Sequence, residues 1–203
     1  MGRPKNQRAR RRQIADAARR IMLTHGSDGL RIRQIAGEAG LSAGSILYYF
    51  PDMDDLVIAV YEHAVERFST RRREAAEGIS DPSERLAAFI EQGLATGPDD
   101  EEVYLLHVAI GAFDRNPAIK ILDRVLFDRQ VAVYEAVLEA GEASGAFTLA
   151  GTSQEVARTL VALEDSLNSH IVTGNPAITR DVALGLVSAY ARLATGVALR
   201  SVT

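Results

Sequence analysis

Apolar residues recur at three- and four-residue spacing along this chain, the period of helices that bury one face. Ile14, Ala17, Ala18, Ile21 and Met22 predict a first helix from about Arg10 to His25, closed by HGSDG. Ile32, Ile35, Ala36 and Ala39 predict a second, and Ile46 and Phe50 supply the core side of a short third, from about Ala43 to Tyr49. A fourth, carrying Leu56, Ile58, Ala59, Val60, Tyr61, Val65 and Phe68, continues to about Arg73. Asp81-Pro82 opens the next, since proline suits the first helical position, and Thr96-Gly97-Pro98 closes it. Further helices are expected over Asp99 to Asp114, Pro117 to about Ser144, Thr152 to Thr173 and about Ile178 to Arg200. The expected fold is all-α, with about nine helices in two domains. Residues 1–73 form an N-terminal three-helix, helix-turn-helix domain with a basic arm, and residues 74–203 a larger C-terminal helical bundle.

The break between the second and third helices is the most informative local feature. Gly40 supplies the conformational freedom of a tight stop, Leu41 fills the angle between the helices, and Ser42 stands where a side-chain oxygen caps the amides that follow. The third helix turns Ala43, Gly44, Ser45 and Tyr48 outward, small residues except for the last. Small residues let backbone approach a groove edge, and a phenol can bond a phosphate or a base. As an isolated pair, Tyr48 and Tyr49 also fit as half-buried aromatics. Asp52 is the expected cap of the fourth helix, with Asp55 three residues on.

Charge sharpens that picture. The net charge is −4, yet residues 1–73 hold 14 Lys or Arg against 8 Asp or Glu, while residues 74–203 hold 9 against 19. Such a division suits a basic end that meets a polyanion and an acidic body that does not. Arg3, Lys5, Arg8, Arg10, Arg11 and Arg12 form an arm that Gly2 and Pro4 are expected to keep out of helix, free for a minor groove or phosphates. Arg31 and Arg33, at the opening of the second helix, bring charge where a phosphate contact is possible. Arg71, Arg72 and Arg73 lie far from the third helix in sequence and are expected to be solvated.

The segment AGLSAGSILYYF resembles the recognition segment of the TetR family of one-component bacterial regulators, in which a serine, a glycine and an aromatic pair lead to a Phe and an acidic helix start. Three positions depart from the usual family pattern: Arg31 stands where Thr or Ser is common, Leu47 where Tyr is common, and Met53 where Lys is common. The last two remove phosphate anchors and shift weight onto the arm. LVALEDSLNSHIVTG, near the C-terminus, resembles the choline-repressor subgroup of the same family. The resemblance implies a homodimer that binds double-stranded DNA at a palindromic operator, probed by two reading heads about 34–36 Å apart, and a small-molecule effector that releases it. The residues it assigns to DNA are Arg3, Lys5, Arg8, Arg10, Arg11, Arg12, Arg31, Arg33, Ser42, Ala43, Gly44, Ser45, Tyr48 and Tyr49. The alternative is a DNA-binding protein without an effector, whose C-terminal domain only dimerises.

Composition narrows the remaining classes. There is no cysteine, so thiolate metal sites and disulfides do not arise, and His25, His63, His107 and His170 fall in no metal-ligand spacing. No nucleophile elbow or phosphate-cradling glycine loop occurs, so neither an enzyme nor a cofactor is expected. No apolar run reaches the roughly 18 residues of a membrane span, and the arginine-rich start does not read as a signal peptide, so no membrane partner and a cytoplasmic location are expected. In the C-terminal half, His107 lies on an apolar face with Phe113 beyond it, and Glu164 on the flank of another with Asn168 one turn on. They read either as hydrogen-bonded core and interface-edge residues or as the polar lining of an effector cavity. A cationic or amphipathic effector is compatible with Glu164.

Overall fold

Nine α-helices and no strand make up the described residues of a computed structural model, which covers 3–26, 29–110 and 117–197, without the side chains of 3–5, 109 and 110. The helices are α1 (Arg3–His25), α2 (Ile32–Ala39), α3 (Ala43–Tyr49), α4 (Met53–Ala75), α5 (Pro82–Gly93), α6 (Glu101–Ile110), α7 (Pro117–Ala143), α8 (Ser153–Val172) and α9 (Arg180–Thr195). They group by proximity into two compact units, residues 1–66 with 104–122 and residues 67–103 with 123–203.

In the first unit, α1 packs on α2 and α3. Ile14, Ala17, Ala18 and Met22 of α1 meet Ile35, Ala36 and Ala39 of α2 and Ile46 of α3 in a core that also takes in Phe50 and Leu56. The helical stripe expected from Ile14 onward is therefore present, but its helix starts earlier. Arg3, Lys5 and the rest of the arm are helical backbone, because Pro4 sits in the first turn, where its missing N–H would have had no helical partner. The arm expected to stay out of helix is thus the first turns of α1.

Local signals fix the ends of most helices. The Asp81 carboxylate accepts the Ser83 and Glu84 N–H groups at 2.9 Å each and opens α5. Thr152 and Glu155 form a reciprocal capping box at the start of α8. At the other end of the chain α9 stops at Thr195, short of the expected Arg200: Gly196 takes the left-handed conformation, φ 71°, and returns its N–H to the Arg192 carbonyl. In the second unit α9 packs on α8 and α5. Its core holds Leu86, Phe89 and Ile90 of α5, Tyr134, Val137 and Leu138 of α7, Leu160 and Val161 of α8, and Val187 and Ala191 of α9.

Candidate functional site

The α2–α3 turn is built from two backbone devices. Gly40 has φ 64°, a conformation that costs a residue with a side chain but not glycine, and its neighbour Leu41 donates an N–H to the Ala36 carbonyl at 2.9 Å. Ser42 then accepts the Ser45 N–H at 3.1 Å, and the two serine hydroxyls lie 2.9 Å apart. These contacts set the direction of a seven-residue helix that buries only Ile46 fully.

Helix α1 holds the far end of α3. The Arg11 guanidinium donates to the Tyr49 carbonyl and lies 4.0 Å over the Phe50 ring, while Gln13 donates to the Ala39 carbonyl at 2.8 Å. Arg20 pairs with Glu38. Arg11, which the sequence assigned to DNA, therefore also anchors α3 through the carbonyl of its last residue, Tyr49, and its charge stands at the negative end of that helix.

What α3 leaves outward is Gly44, Leu47 and Tyr48. Tyr48 is 67% exposed and Leu47 45%, and the Tyr48 and Tyr49 rings meet edge-on at 5.0 Å. The half-buried alternative thus fits Tyr49 and not Tyr48. Arg8, Arg11, Arg12, Arg31 and Arg33 are exposed and Arg10 partly so, Arg10 donating to Gln13 at 2.8 Å and Arg31 to the Leu30 carbonyl at 2.9 Å. The side chains of Arg3 and Lys5 lie outside the described residues. At the start of α4, Asp52 accepts the Asp54 N–H at 2.9 Å, the cap expected there.

The second constellation is buried, and its centre is an arginine expected to be solvated. Arg72, near the end of α4, is 4% exposed. It donates to Glu164 of α8 at 3.1 and 3.3 Å, to the Phe89 carbonyl of α5 at 3.0 Å and to Gln130 of α7. Tyr134 of α7 donates to the same carboxylate, and its ring lies 5.0 Å from the guanidinium carbon. Glu164 is not on the edge of its helix face: with Ala157, Leu160, Val161, Asn168 and Ile171 it lies in the buried stripe of α8 and has no exposure. Reading the stripe from its large aliphatic residues alone, with the half-exposed Leu163 among them, had displaced its centre.

Electrostatics follow from that burial. Loss of water raises the Glu164 pKa to about 7, more than Arg72 and the Tyr134 hydroxyl lower it. Burial works against the Arg72 charge as well, but Glu164 and Tyr134 outweigh it and the guanidinium binds its proton more tightly than usual. Burial and the adjacent carboxylate lift Tyr134 well above the ordinary phenol range. Gly93 lets α5 approach: a Cβ there would overlap the Glu164 carboxylate. Asn168 completes the junction, accepting the Ala95 N–H at 2.7 Å and donating to the Gly93 carbonyl at 2.9 Å.

Of the residues assigned to an effector, Glu164 and Asn168 are therefore brought together on α8 with their polar atoms bonded inside the protein. His107 is half-buried on α6, and Phe113 lies outside the described residues. Sequence reasoning missed Arg72, Gln130 and Tyr134. One signal for Arg72 was present: Tyr61, Val65, Phe68 and Arg72 follow one another at helical spacing, so the arginine continues the buried stripe of α4. Among the described residues no group of acidic and histidine side chains has the form of a metal site, and no helix is long and apolar enough to cross a membrane.

Residues 14–60 match the model of the family described as bacterial regulatory proteins, tetR family. The HTH-type transcriptional regulator PksA of Bacillus subtilis is 30% identical over 107 residues, 53% of this chain and 52% of that protein. The HTH-type transcriptional regulator BetI of Brucella canis is 36% identical over 81 residues, 40% and 41% of the two chains. The matched region spans about half the length of these curated relatives or less. A regulator from Saccharomonospora viridis, solved in complex with choline, shares the fold with TM-score 0.80 and 26% identity over 89% of this chain and 94% of that one. A TetR transcription regulator from Haloarcula marismortui aligns with TM-score 0.83 and 23% identity over 92% and 98%. With residues 14–60 matched in sequence and its helices matched in fold, the chain carries a segment of the tetR family of bacterial regulatory proteins and is similar to the BetI regulators.

Proposed function

We propose that this chain is a ligand-responsive transcriptional regulator, a repressor that binds an inverted-repeat operator as a homodimer, with residues 1–73 reading DNA and residues 74–203 binding effector and partner. The observation that carries the reading is the outward face of α3: a short helix fixed by Gly40, Ser42 and Arg11 and left open at Gly44 and Tyr48. A duplex major groove admits a helix of this kind, with small residues against base edges and Tyr48 at a base or phosphate. Arg3, Lys5, Arg8, Arg10, Arg11, Arg12, Arg31, Arg33, Ser42, Ala43, Ser45 and Tyr49 are the further proposed DNA contacts, and Arg11 also holds α3. The body carries most of the acidic charge, so the basic head is where phosphates are met.

The effector is proposed to be a small cationic or amphipathic molecule, in keeping with the choline bound by the Saccharomonospora viridis regulator. His107, Phe113, Glu164 and Asn168 are its proposed contacts. A cation that engages Glu164 has to replace the Arg72 guanidinium, and Arg72 belongs to α4, the helix that leads out of the reading head. Displacing it is then a way for occupancy to act on α4, and by linkage DNA must weaken the effector by the factor by which effector weakens DNA.

The test is operator selection from random duplex with the full chain, followed by sedimentation of the complex and titration with choline as the probe. Two chains on a selected inverted repeat, released in proportion to choline occupancy, are the expected results. Failure to enrich any inverted repeat overturns the DNA reading. Bound choline that leaves operator affinity unchanged overturns the switch.

A further inference from the structure

The outward face of α3 has an unusual balance for a surface that is to distinguish base pairs. Ser42 and Ser45 direct their hydroxyls at each other, and the Ser42 hydroxyl also accepts the Ser45 N–H. Gly44 brings no side chain, and a Cβ placed there would meet nothing nearer than the Ser42 hydroxyl at 3.9 Å, so the approach to the backbone is open. Tyr48 offers a phenol. Leu47, one residue before it and three after Gly44, stands between them on the same face with 45% of its surface exposed.

An apolar side chain in that position has one apolar partner in the major groove. Donors and acceptors line the base edges, and the 5-methyl group of thymine is the exception. We infer that Leu47 is a specificity-determining residue that packs on a thymine 5-methyl in each operator half-site, so that α3 selects a T·A pair there by apolar contact and not by hydrogen bonding. The inference rests on the proposed DNA-reading role and adds the chemical group that is read. It extends to 5-methylcytosine, which carries a methyl at the same ring position, and excludes unmodified cytosine and uracil, which do not.

The test uses the operator selected by the full chain, with each thymine replaced in turn by deoxyuridine, which deletes the methyl and keeps every hydrogen-bonding group. For the unchanged protein, one symmetry-related thymine position is expected to lose about three- to tenfold in affinity on replacement. Putting 5-methylcytosine opposite guanine at that position is expected to bind better than cytosine. For Leu47→Ala, affinity on the natural operator falls by a similar factor, and the deoxyuridine penalty at that one position disappears. Leu47 is exposed, so the variant's melting temperature should match that of the parent and the comparison concerns binding alone. A deoxyuridine penalty that is the same in both proteins at every position, or absent throughout, overturns the inference while leaving operator binding in place. An absence of operator binding by the unchanged protein overturns the DNA reading itself.

Discussion

The head and the body handle polar and apolar groups in opposite ways. On α3, two groups that could have been covered, Leu47 and Tyr48, stay in water, and the helix is held by caps and by Arg11 from behind. Around Glu164, four groups that prefer water are buried: Arg72 bonds Glu164 and Gln130 across α4, α7 and α8, and Asn168 bonds backbone at the end of α5. An open face can change its contacts with little effect on folding, whereas a buried charged junction cannot lose one member without stranding the others. The first arrangement suits recognition and the second suits transmission between helices.

The largest expected effect lies at the buried junction. Arg72→Ala is expected to destabilise the chain by about 3–5 kcal/mol, because it leaves a buried carboxylate without its partner, measured by denaturant unfolding at pH 8. Replacing both members together, Arg72→Met with Glu164→Leu, should recover most of that loss, since two apolar groups strand no charge. Equal and additive losses would mean that the two side chains act independently.

The pH dependence has a definite sign. Glu164 holds its proton more tightly in the folded chain, to about 7, than in the unfolded one. Its contribution therefore favours folding at low pH and is lost as pH rises from the ordinary carboxylate range through about 7, then stays level. The loss amounts to at most about 1.4 kcal/mol per pH unit. Glu164→Gln should flatten that part of the stability curve, and a curve unchanged by the substitution would place the titration elsewhere.

How much of this was readable in advance differs between the same two regions. The turn and α3 were legible because each device is local: Gly40, Ser42 and Ile46 act within a few residues of one another, and nearest-neighbour spacing exposes them. The number and order of the helices were legible for the same reason, as was the Asp81-Pro82 start. The junction was not, because Arg72 and Glu164 lie 92 residues apart and no local pattern pairs them. The contact of Arg11 with α3 was hidden for a related reason, since its partner is a backbone carbonyl 38 residues away. The start of α1 was misjudged by giving Pro4 the weight it has inside a helix and not in a first turn.

Smaller effects sharpen the account of the head. Gly40→Ala places a side chain in a left-handed backbone conformation with nothing nearby to relieve it, and is expected to cost about 1–2 kcal/mol. Ser42→Ala removes the cap of α3 and should cost about 1 kcal/mol, read as a drop in melting temperature and in operator affinity together. Tyr48→Ala is expected to change stability by less than about 0.5 kcal/mol, as exposed residues do.

That last variant also carries the most direct test of the claim that the open face of α3 reads DNA. Affinity of the full chain for its selected inverted repeat is measured by fluorescence anisotropy at rising salt, for the parent and for Tyr48→Ala. The expected result is tight parental binding that weakens steeply with salt as phosphate counterions are displaced, and clearly weaker binding by Tyr48→Ala at an unchanged melting temperature. Binding indifferent to both salt and Tyr48, or no binding to any inverted-repeat duplex at modest ionic strength, would contradict it.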